Sequence, residues 1–346
     1  MTKYVVLGLG VIGYYTVFSL LERQVPASDI TIVAEFWPGD EYVEYALPYA
    51  GANFSCITDD DDKTMFYDQY TYENLAKIQQ KLGGAEASGL DRYMLTEFWD
   101  RMPSEKKKAG YRTYLQNYEE LTELAPGTEY GIKFLSWNFN TVKFLKASKA
   151  YFEKQGVTMK RAKLSHVCQA FGADTKVVFN CTGLGAKHLG GVNDLACYPT
   201  RGQICIIKAP HIKDNTMRWG DDYCTYIIKR PFSNDQLVLG GFMQKDWHTM
   251  ATYQDQTEDI WKRTTTLNPK ILSANPHGTS FEDLEVVRVV LGLRPSRHGG
   301  VRIEKEHVEN GKYVVHNYGA SGYGYQAGLG MAVEGVNLAL AKDSKL

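Results

Sequence analysis

The chain has 346 residues, a formal net charge of −1 and 44% hydrophobic residues. That length predicts about two domains with a sizeable core, and the balanced charge gives no electrostatic reason for a nucleic-acid or acidic-membrane partner. No apolar run approaches the ~18 residues of a membrane span, and no basic leader with an apolar signal core is read at the N-terminus, so no signal peptide is expected.

The first informative stretch is Tyr4 to Glu35. The apolar run Tyr4-Val5-Val6-Leu7 stops at Gly8-Leu9-Gly10-Val11-Ile12-Gly13, a helix-like segment follows from Tyr14 to Arg23, and Ile30–Ala34 is a second apolar run ending on Glu35. Strand, glycine turn, helix, strand and acid in this order form the dinucleotide-binding unit. Gly8 permits the sharp turn, Gly10 lets a pyrophosphate approach the backbone, and Gly13 lets helix and strand pack closely. The helix N-terminus then faces the phosphates. Glu35, 22 residues after Gly13, suits the ribose hydroxyls and disfavours a 2′-phosphate. A lone GxGxxG is a weak signal and can be an ordinary turn. The surrounding order strengthens it, but the motif leaves FAD and NAD(P) both open.

Phe36–Asp40 reads as a turn, and Ala46–Ser55 as a loop of small residues pressed against a ligand or simply a tight connection. Asp59–Lys63 reads as an exposed acidic turn or helix start. Met65–Leu82 has helical spacing with an apolar stripe of Phe66, Tyr70, Leu75, Ile78 and Leu82, closed by Gly83-Gly84. Residues 85–137 read as mixed, with short strand-like pieces. Asn140–Gln155 is again helical, and Val157–Val167 reads as strand, turn, strand. Lys176–Ala186 is a buried strand running into small residues. Next to the first strand, its end would lie at the ligand-binding carboxyl edge of a parallel sheet. From Tyr198 to about Gly241, short strands parted by turns (203–208, 224–228, 236–240) predict an antiparallel sheet of a second domain type. Glu258–Leu267 is helical. Glu285–Leu293 is a strand ending at Arg294-Pro295, and Tyr313–Asn317 is another. Gly319–Gly328 is a second glycine-rich loop, opening a last helix over 329–341.

The six cysteines, at 56, 168, 181, 197, 205 and 224, have no metal-ligand spacing and read as reduced thiols. Twelve per cent of residues are aromatic, 23 of them tyrosine, which suits aromatic-lined pockets. The last three residues, Ser344-Lys345-Leu346, match a receptor-read peroxisomal address.

Val5–Gly13, Ala50–Asn53, Asn180–Gly183, Tyr198–Gln203, Tyr226–Ile228, Leu239–Gly241, Gly292–Pro295 and His316–Gln326 together resemble the D-amino acid oxidases, especially those of yeasts. The segments span nearly the whole chain in the family's order, which makes the resemblance specific. It implies a Rossmann-like FAD domain (α/β, with an α+β part) assembled from residues 1–75, 140–195 and 285–346. It also implies a substrate domain on a large antiparallel sheet, from 76–139 and 196–284. The implied reaction takes a D-amino acid and oxygen to a 2-oxo acid, ammonia and hydrogen peroxide, with hydride passing from the substrate Cα to flavin N5. A homodimer in the peroxisomal matrix, imported by the receptor for the terminal tripeptide, is implied as well.

The resemblance maps Arg294 and Tyr226 onto the substrate carboxylate, and Gly322 and Gln326 onto the substrate amine through main-chain carbonyls. A planar guanidinium fork suits a carboxylate, although an arginine near Glu285 and Glu304 in sequence can equally be a structural ion pair. Ser55 is placed near the pocket entrance. Met243 stands where some yeast relatives carry a second active-site tyrosine. Arg218 falls where an arginine would reach an acidic side chain, as in the related D-aspartate oxidases, and otherwise it is a solvent-facing arginine. The implied FAD contacts are Gly8, Gly10, Val11, Ile12, Gly13, Glu35, Phe36, Tyr45, Ala46, Gly51, Asn53, Leu164, Cys181, Thr182, Gly183, Gly319, Gly322, Tyr323, Gly324, Tyr325 and Gln326. Three functions compete: an oxidase of neutral D-amino acids, which is preferred because Met243 supplies no second cation; a D-aspartate oxidase resting on Arg218; and a non-catalytic nucleotide binder.

Overall fold

A computed structural model describes residues 3–43, 45–309 and 311–341, so the terminal Ser344-Lys345-Leu346 lies outside the described residues. In chain order the elements are β1 (Tyr4–Leu7), α1 (Val11–Glu22), β2 (Ile30–Ala34), α2 (Asp62–Lys81), α3 (Ala85–Ser88), β3 (Leu90–Trp99), α4 (Glu105–Tyr114), β4 (Glu119–Glu120), β5 (Tyr130–Phe139), α5 (Thr141–Gln155), β6 (Thr158–Arg161) and β7 (Val177–Asn180). They continue with β8 (Cys197–Lys208), β9 (Asn215–Trp219), β10 (Cys224–Lys229), β11 (Gln236–Gly240), β12 (Gln244–Lys245), α6 (Gln254–Leu267), α7 (Lys270–Ser273), β13 (Val286–Arg297), β14 (Arg302–Glu309), β15 (Lys312–Tyr318) and α8 (Gly324–Leu340).

One sheet has the order β14-β15-β7-β1-β2-β6, parallel throughout except for β14. Its central strands are short and buried, as strands covered on both faces must be. Leu7 pairs with Val33 on one side and Asn180 on the other, and His316 pairs with Asn180. Four chain segments therefore leave this sheet together at its carboxyl edge, where such sheets bind ligands.

The other sheet has the order β12-β8-β11-β10-β9-β3-β5-β4, with β13 also pairing β8. It is antiparallel except for the β3–β9 pair, which is parallel. The 85–137 region holds two ten-residue strands, β3 and β5, instead of short pieces. β13 does not end at Arg294-Pro295. It continues to Arg297, with Pro295 opposite Pro199 of β8. This strand thus belongs to the larger sheet, although it lies in the stretch 285–346 that the sequence reading groups with the nucleotide-binding unit. The region after Val157 keeps only its first strand, β6, and the second becomes a 3-10 turn over Val167–Ala170.

α2 runs over the expected residues with Asp61 as its N-cap, accepting from Thr64 N at 3.0 Å. Of the expected stripe Leu75, Ile78 and Leu82 are buried, but the first half of the buried face differs. Tyr67, Asp68, Thr71, Tyr72, Leu75 and Ile78 point inward, while Phe66 is exposed. α5 begins on the expected Asn140 cap and ends at Gly156 in the left-handed conformation.

Candidate active site

The carboxyl edge of the parallel sheet opens into a cavity of about 1550 Å³ that continues across the face of the larger sheet. It exceeds the ~300–1,000 Å³ usual for a drug-sized ligand, so it has room for a dinucleotide and a small substrate. Nearly all the residues expected to contact FAD lie on its lining, among them Gly8, Gly10, Val11, Ile12, Glu35, Phe36, Tyr45, Ala46, Gly51, Asn53, Leu164, Cys181, Thr182, Gly183, Gly319, Gly322, Tyr323, Gly324, Tyr325 and Gln326. Gly13 lies just behind it.

The three glycines of the turn have separable physical reasons. Gly8 adopts φ +98°, and a Cβ there would sit 2.6 Å from Cys181 O. A Cβ at Gly13 would come within 2.1 Å of Gly8 O, so this glycine sets the helix-to-turn packing. Gly10 is different: its φ of −75° suits any residue, and its nearest prospective contact is Cys181 O at 3.9 Å. Nothing in the protein excludes a side chain there, whereas a pyrophosphate approaching the backbone does.

Two helix N-termini meet at the cavity. A Cβ at Gly324, the first residue of α8, would lie 3.0 Å from Val11 Cγ1 in the first turn of α1, and Tyr15 Oη donates to Tyr325 O at 3.0 Å. Neither helix has a side-chain cap or an acid in its first turn. Their free N–H groups and positive ends are left for anionic groups. At the other end Glu35 follows β2, accepting from Lys163 Nζ at 2.8 Å. Phe36 stacks on Tyr45, whose hydroxyl donates to Leu9 O. The fully buried Cys181 thiol is pushed up to about 12 by desolvation and is chemically quiet. Uncapped helix ends, a glycine with no protein reason and an acid after β2 fit the two phosphates and ribose of FAD.

Arg294 lies on β13, facing the cavity between β8 and the loop before α8. Its guanidinium donates from Nη1 to Phe242 O at 2.8 Å and from Nη2 to Tyr226 Oη at 3.3 Å. Glu285 pairs with Lys208 and Glu304 with Arg302, so neither acid near Arg294 in sequence neutralises it. Among the described residues Arg294 has no carboxylate partner. Room for it comes from Gly202 on β8, where a Cβ would sit 2.1 Å from Nη1. Gly240 and Gly241 serve Tyr226 similarly, since a Cβ at either would fall within 2.2–2.4 Å of the phenol. Burial pushes the Tyr226 hydroxyl up to about 12, so it stays a neutral donor. Gly322 closes this end, with its Cβ direction 3.4 Å from Arg294 Cδ.

Other expected residues are placed differently. Gln326 is the third residue of α8 and 2% exposed. Its Oε1 accepts from Ser55 N and Ser55 Oγ at 3.2 and 3.1 Å, and its Nε2 donates to Asp68 Oδ2 at 2.9 Å. A carbonyl inside a helix points toward the C-terminus, so that of Gln326 is directed away from the mouth formed by the helix start. Ser55 lies on the cavity lining, buried and held in this network. Met243 is on the lining and 40% exposed. Arg218 is not on the lining. Strand alternation on β9 turns Met217 and Trp219 to the cavity and Arg218 away. There it pairs with Asp100 at 2.7 Å and donates to Pro126 O.

Two buried acids behind the cavity wall were not legible as site residues. Asp68 lies on α2 and Glu97 on β3. Glu97 accepts from Cys56 N at 3.1 Å and from Trp219 Nε1 at 3.3 Å. Desolvation raises Asp68 to about 7 and Glu97 to about 8, partly opposed by their hydrogen bonds. For Asp68 the native state keeps its proton up to about pH 7, while the unfolded chain loses it near pH ~4. Stability therefore falls as pH rises through that window. The effect of this one group is at most roughly 4 kcal/mol. Asp68→Asn is expected to flatten the decline of the urea midpoint of the holoprotein between pH 4.5 and 7.5 (about that window). An unchanged slope would show that Asp68 is ionised throughout.

The chain matches the family model described as FAD dependent oxidoreductase over residues 3–337. It is 38% identical over 343 residues to a D-amino-acid oxidase of Schizosaccharomyces pombe, covering 98% of this chain and 96% of that protein. A D-aspartate oxidase of Cryptococcus neoformans is 29% identical over 393 residues, covering 96% and 95%. Glycine oxidase of Geobacillus kaustophilus has a similar fold, with a TM-score of 0.75 at 16% identity over 99% of this chain and 95% of that one. The chain belongs to the FAD-dependent oxidoreductase family that includes the D-amino acid oxidases, and FAD is its cofactor.

Proposed function

We propose that the protein catalyses the oxidative deamination of neutral D-amino acids to 2-oxo acids, with release of ammonia and hydrogen peroxide. The observation that carries this reading is Arg294, a guanidinium with no acid partner among the described residues, aimed beside the Tyr226 hydroxyl into the cavity with room for the dinucleotide. A protein that only binds nucleotide has no use for such a carboxylate clamp, and the relatives' names support the same substrate class.

In this reading Arg294 takes the substrate carboxylate through paired charge-assisted hydrogen bonds, and Tyr226 donates its remaining proton to the same group. The Gly322 carbonyl accepts from the amine. FAD, when bound, would supply the two-electron acceptor for the hydride on the substrate Cα, with oxygen as the final oxidant. The protein contributes alignment. Met217, Trp219 and Met243 give the same cavity an apolar wall. Arg218 is held by Asp100 and so does not offer its guanidinium to an acidic substrate side chain, which disfavours D-aspartate.

Peroxisomal location, import through the receptor for the terminal tripeptide and a homodimer belong to the same proposal. The C-terminal Ser-Lys-Leu supports the first two, and the family resemblance supports the third. Anaerobic D-alanine is expected to bleach the visible flavin band of the purified holoprotein. The kcat/KM for D-alanine should exceed that for D-aspartate by about 100-fold. Bleaching by no D-amino acid would overturn the reading, and preference for D-aspartate would return the role to an acidic substrate.

A further inference from the structure

The Tyr198–Gln203 motif has a charged residue that the reaction leaves unused. On β8, Thr200 and Gly202 line the cavity, so Arg201 and Gln203 alternate to the opposite face of the sheet, beneath α6. Arg201 is fully buried. All of its N–H donors are taken by neutral oxygens: Nε by Thr249 O at 3.1 Å, Nη1 by Gln244 Oε1 and Gln256 Oε1, and Nη2 by Gln203 Oε1 and Ala251 O. Gln203 Nε2 donates in turn to Tyr253 O at 2.7 Å, and its Oε1 accepts from Tyr253 N at 2.8 Å. The rings of Tyr253 and Trp247 flank the guanidinium at 5.1 and 6.0 Å.

The segment so gripped, 246–253, has no helix or strand of its own and is exposed along its length. Its main-chain groups at 249, 251 and 253 turn inward to Arg201 and Gln203, while two of its side chains, His248 and Met250, lie on the cavity. Only the two residues of β12, paired with Arg201 and Thr200 of β8, separate the segment from Met243 and from Phe242, whose carbonyl receives Arg294. It is thus a strap crossing from the back of the sheet to the substrate end of the cavity, and its shape is set by one buried cation.

We propose that Arg201 is a positioning residue for side-chain selection: by fixing the strap it holds Met250 and His248 as the outer wall against which long apolar substrate side chains pack. The proposal rests on the amino acid oxidase reading above. A small side chain on a substrate clamped at Arg294 stops short of this wall, and a long one meets it. Methionine, flexible and polarisable, suits varied apolar partners.

The test compares wild type, Arg201→Lys and Met250→Ala as holoproteins, with kcat and KM measured for D-methionine and D-alanine. Lysine keeps the charge but not the planar fork. Met250 is 52% exposed, so its truncation does not threaten folding. Both variants are expected to lower the D-methionine to D-alanine ratio of kcat/KM by about tenfold, through KM for D-methionine rather than kcat. An unchanged ratio in Met250→Ala, or in Arg201→Lys a fall of both substrates together with lost FAD, would overturn the proposal. If Arg201→Lys does not fold, Met250→Ala alone decides. Failure of wild type to oxidise any D-amino acid would instead sink the underlying reading.

Discussion

Replacing Arg294 with alanine is expected to lower kcat/KM for D-alanine by about 10³-fold or more while the purified protein stays yellow. Hydrogen bonds to charged groups contribute ~1.5–3 kcal/mol each, and a bidentate pair supplies two. The cofactor should be retained because the guanidinium donates to Phe242 O and Tyr226 Oη, neither of which belongs to the dinucleotide turn. Arg294→Lys should recover only part of the loss, since an ammonium cannot reproduce the fork. Gly202→Ala should mimic the defect with every polar group still present, because its Cβ would occupy the guanidinium's place at 2.1 Å. Tyr226→Phe, which removes one neutral donor, should cost only about tenfold. Steady-state kinetics with flavin absorbance on the same samples checks the series. Loss of FAD in Arg294→Ala would mean that the arginine supports the cofactor rather than the substrate.

The residues that define this site were unequally visible in the sequence. β1, α1 and β2 announce themselves because each requirement of phosphate binding maps onto a residue type at a fixed spacing. The β13 strand was visible only as far as Leu293, because Pro295 resembles a strand terminator. In the sheet it faces Pro199 across β8, where neither residue has an N–H to offer the ladder. β3 and β5 were obscured by polar residues that are buried: Glu97 serves Cys56 N and the Trp219 indole, and Asn138 exchanges hydrogen bonds with Asn215 at 3.0 and 2.7 Å. Such partners are distant in sequence, so only the fold reveals that a polar residue is satisfied inside. Arg218 illustrates the same limit. Its proximity to Met217 in sequence says nothing about direction, and a period of two sends adjacent side chains to opposite faces. Asp68 was hidden for a third reason. The apolar stripe of α2, Phe66, Tyr70, Leu75, Ile78 and Leu82, holds in its second half, whereas in the first half contacts with α8 turn the buried face onto Tyr67, Asp68 and Thr71.

The dinucleotide turn yields a prediction in which the three glycines separate. Gly10→Val is expected to abolish FAD retention, weakening binding by at least about 100-fold, while the apoprotein melts like wild-type apoprotein. The reason is that φ at Gly10 is −75° and, its chain neighbours aside, the nearest atom of the described residues to the prospective Cβ is Cys181 O at 3.9 Å. The side chain would thus project where the pyrophosphate must approach. Gly13→Val should lose FAD and also destabilise the apoprotein by several kcal/mol, because its Cβ would press within 2.1 Å of Gly8 O and lever α1 from the turn. Gly8→Ala joins the second class, combining φ +98° with a 2.6 Å approach to Cys181 O. Flavin content, together with melting temperatures measured with and without added FAD, resolves the two classes, since a ligand that binds only the native state raises its stability. If Gly10→Val retains FAD as tightly as wild type, the phosphates do not sit at the α1 N-terminus. The free N–H groups of α8 would then be the anion site of this fold, with α1 a packing element whose glycines answer to β1 alone.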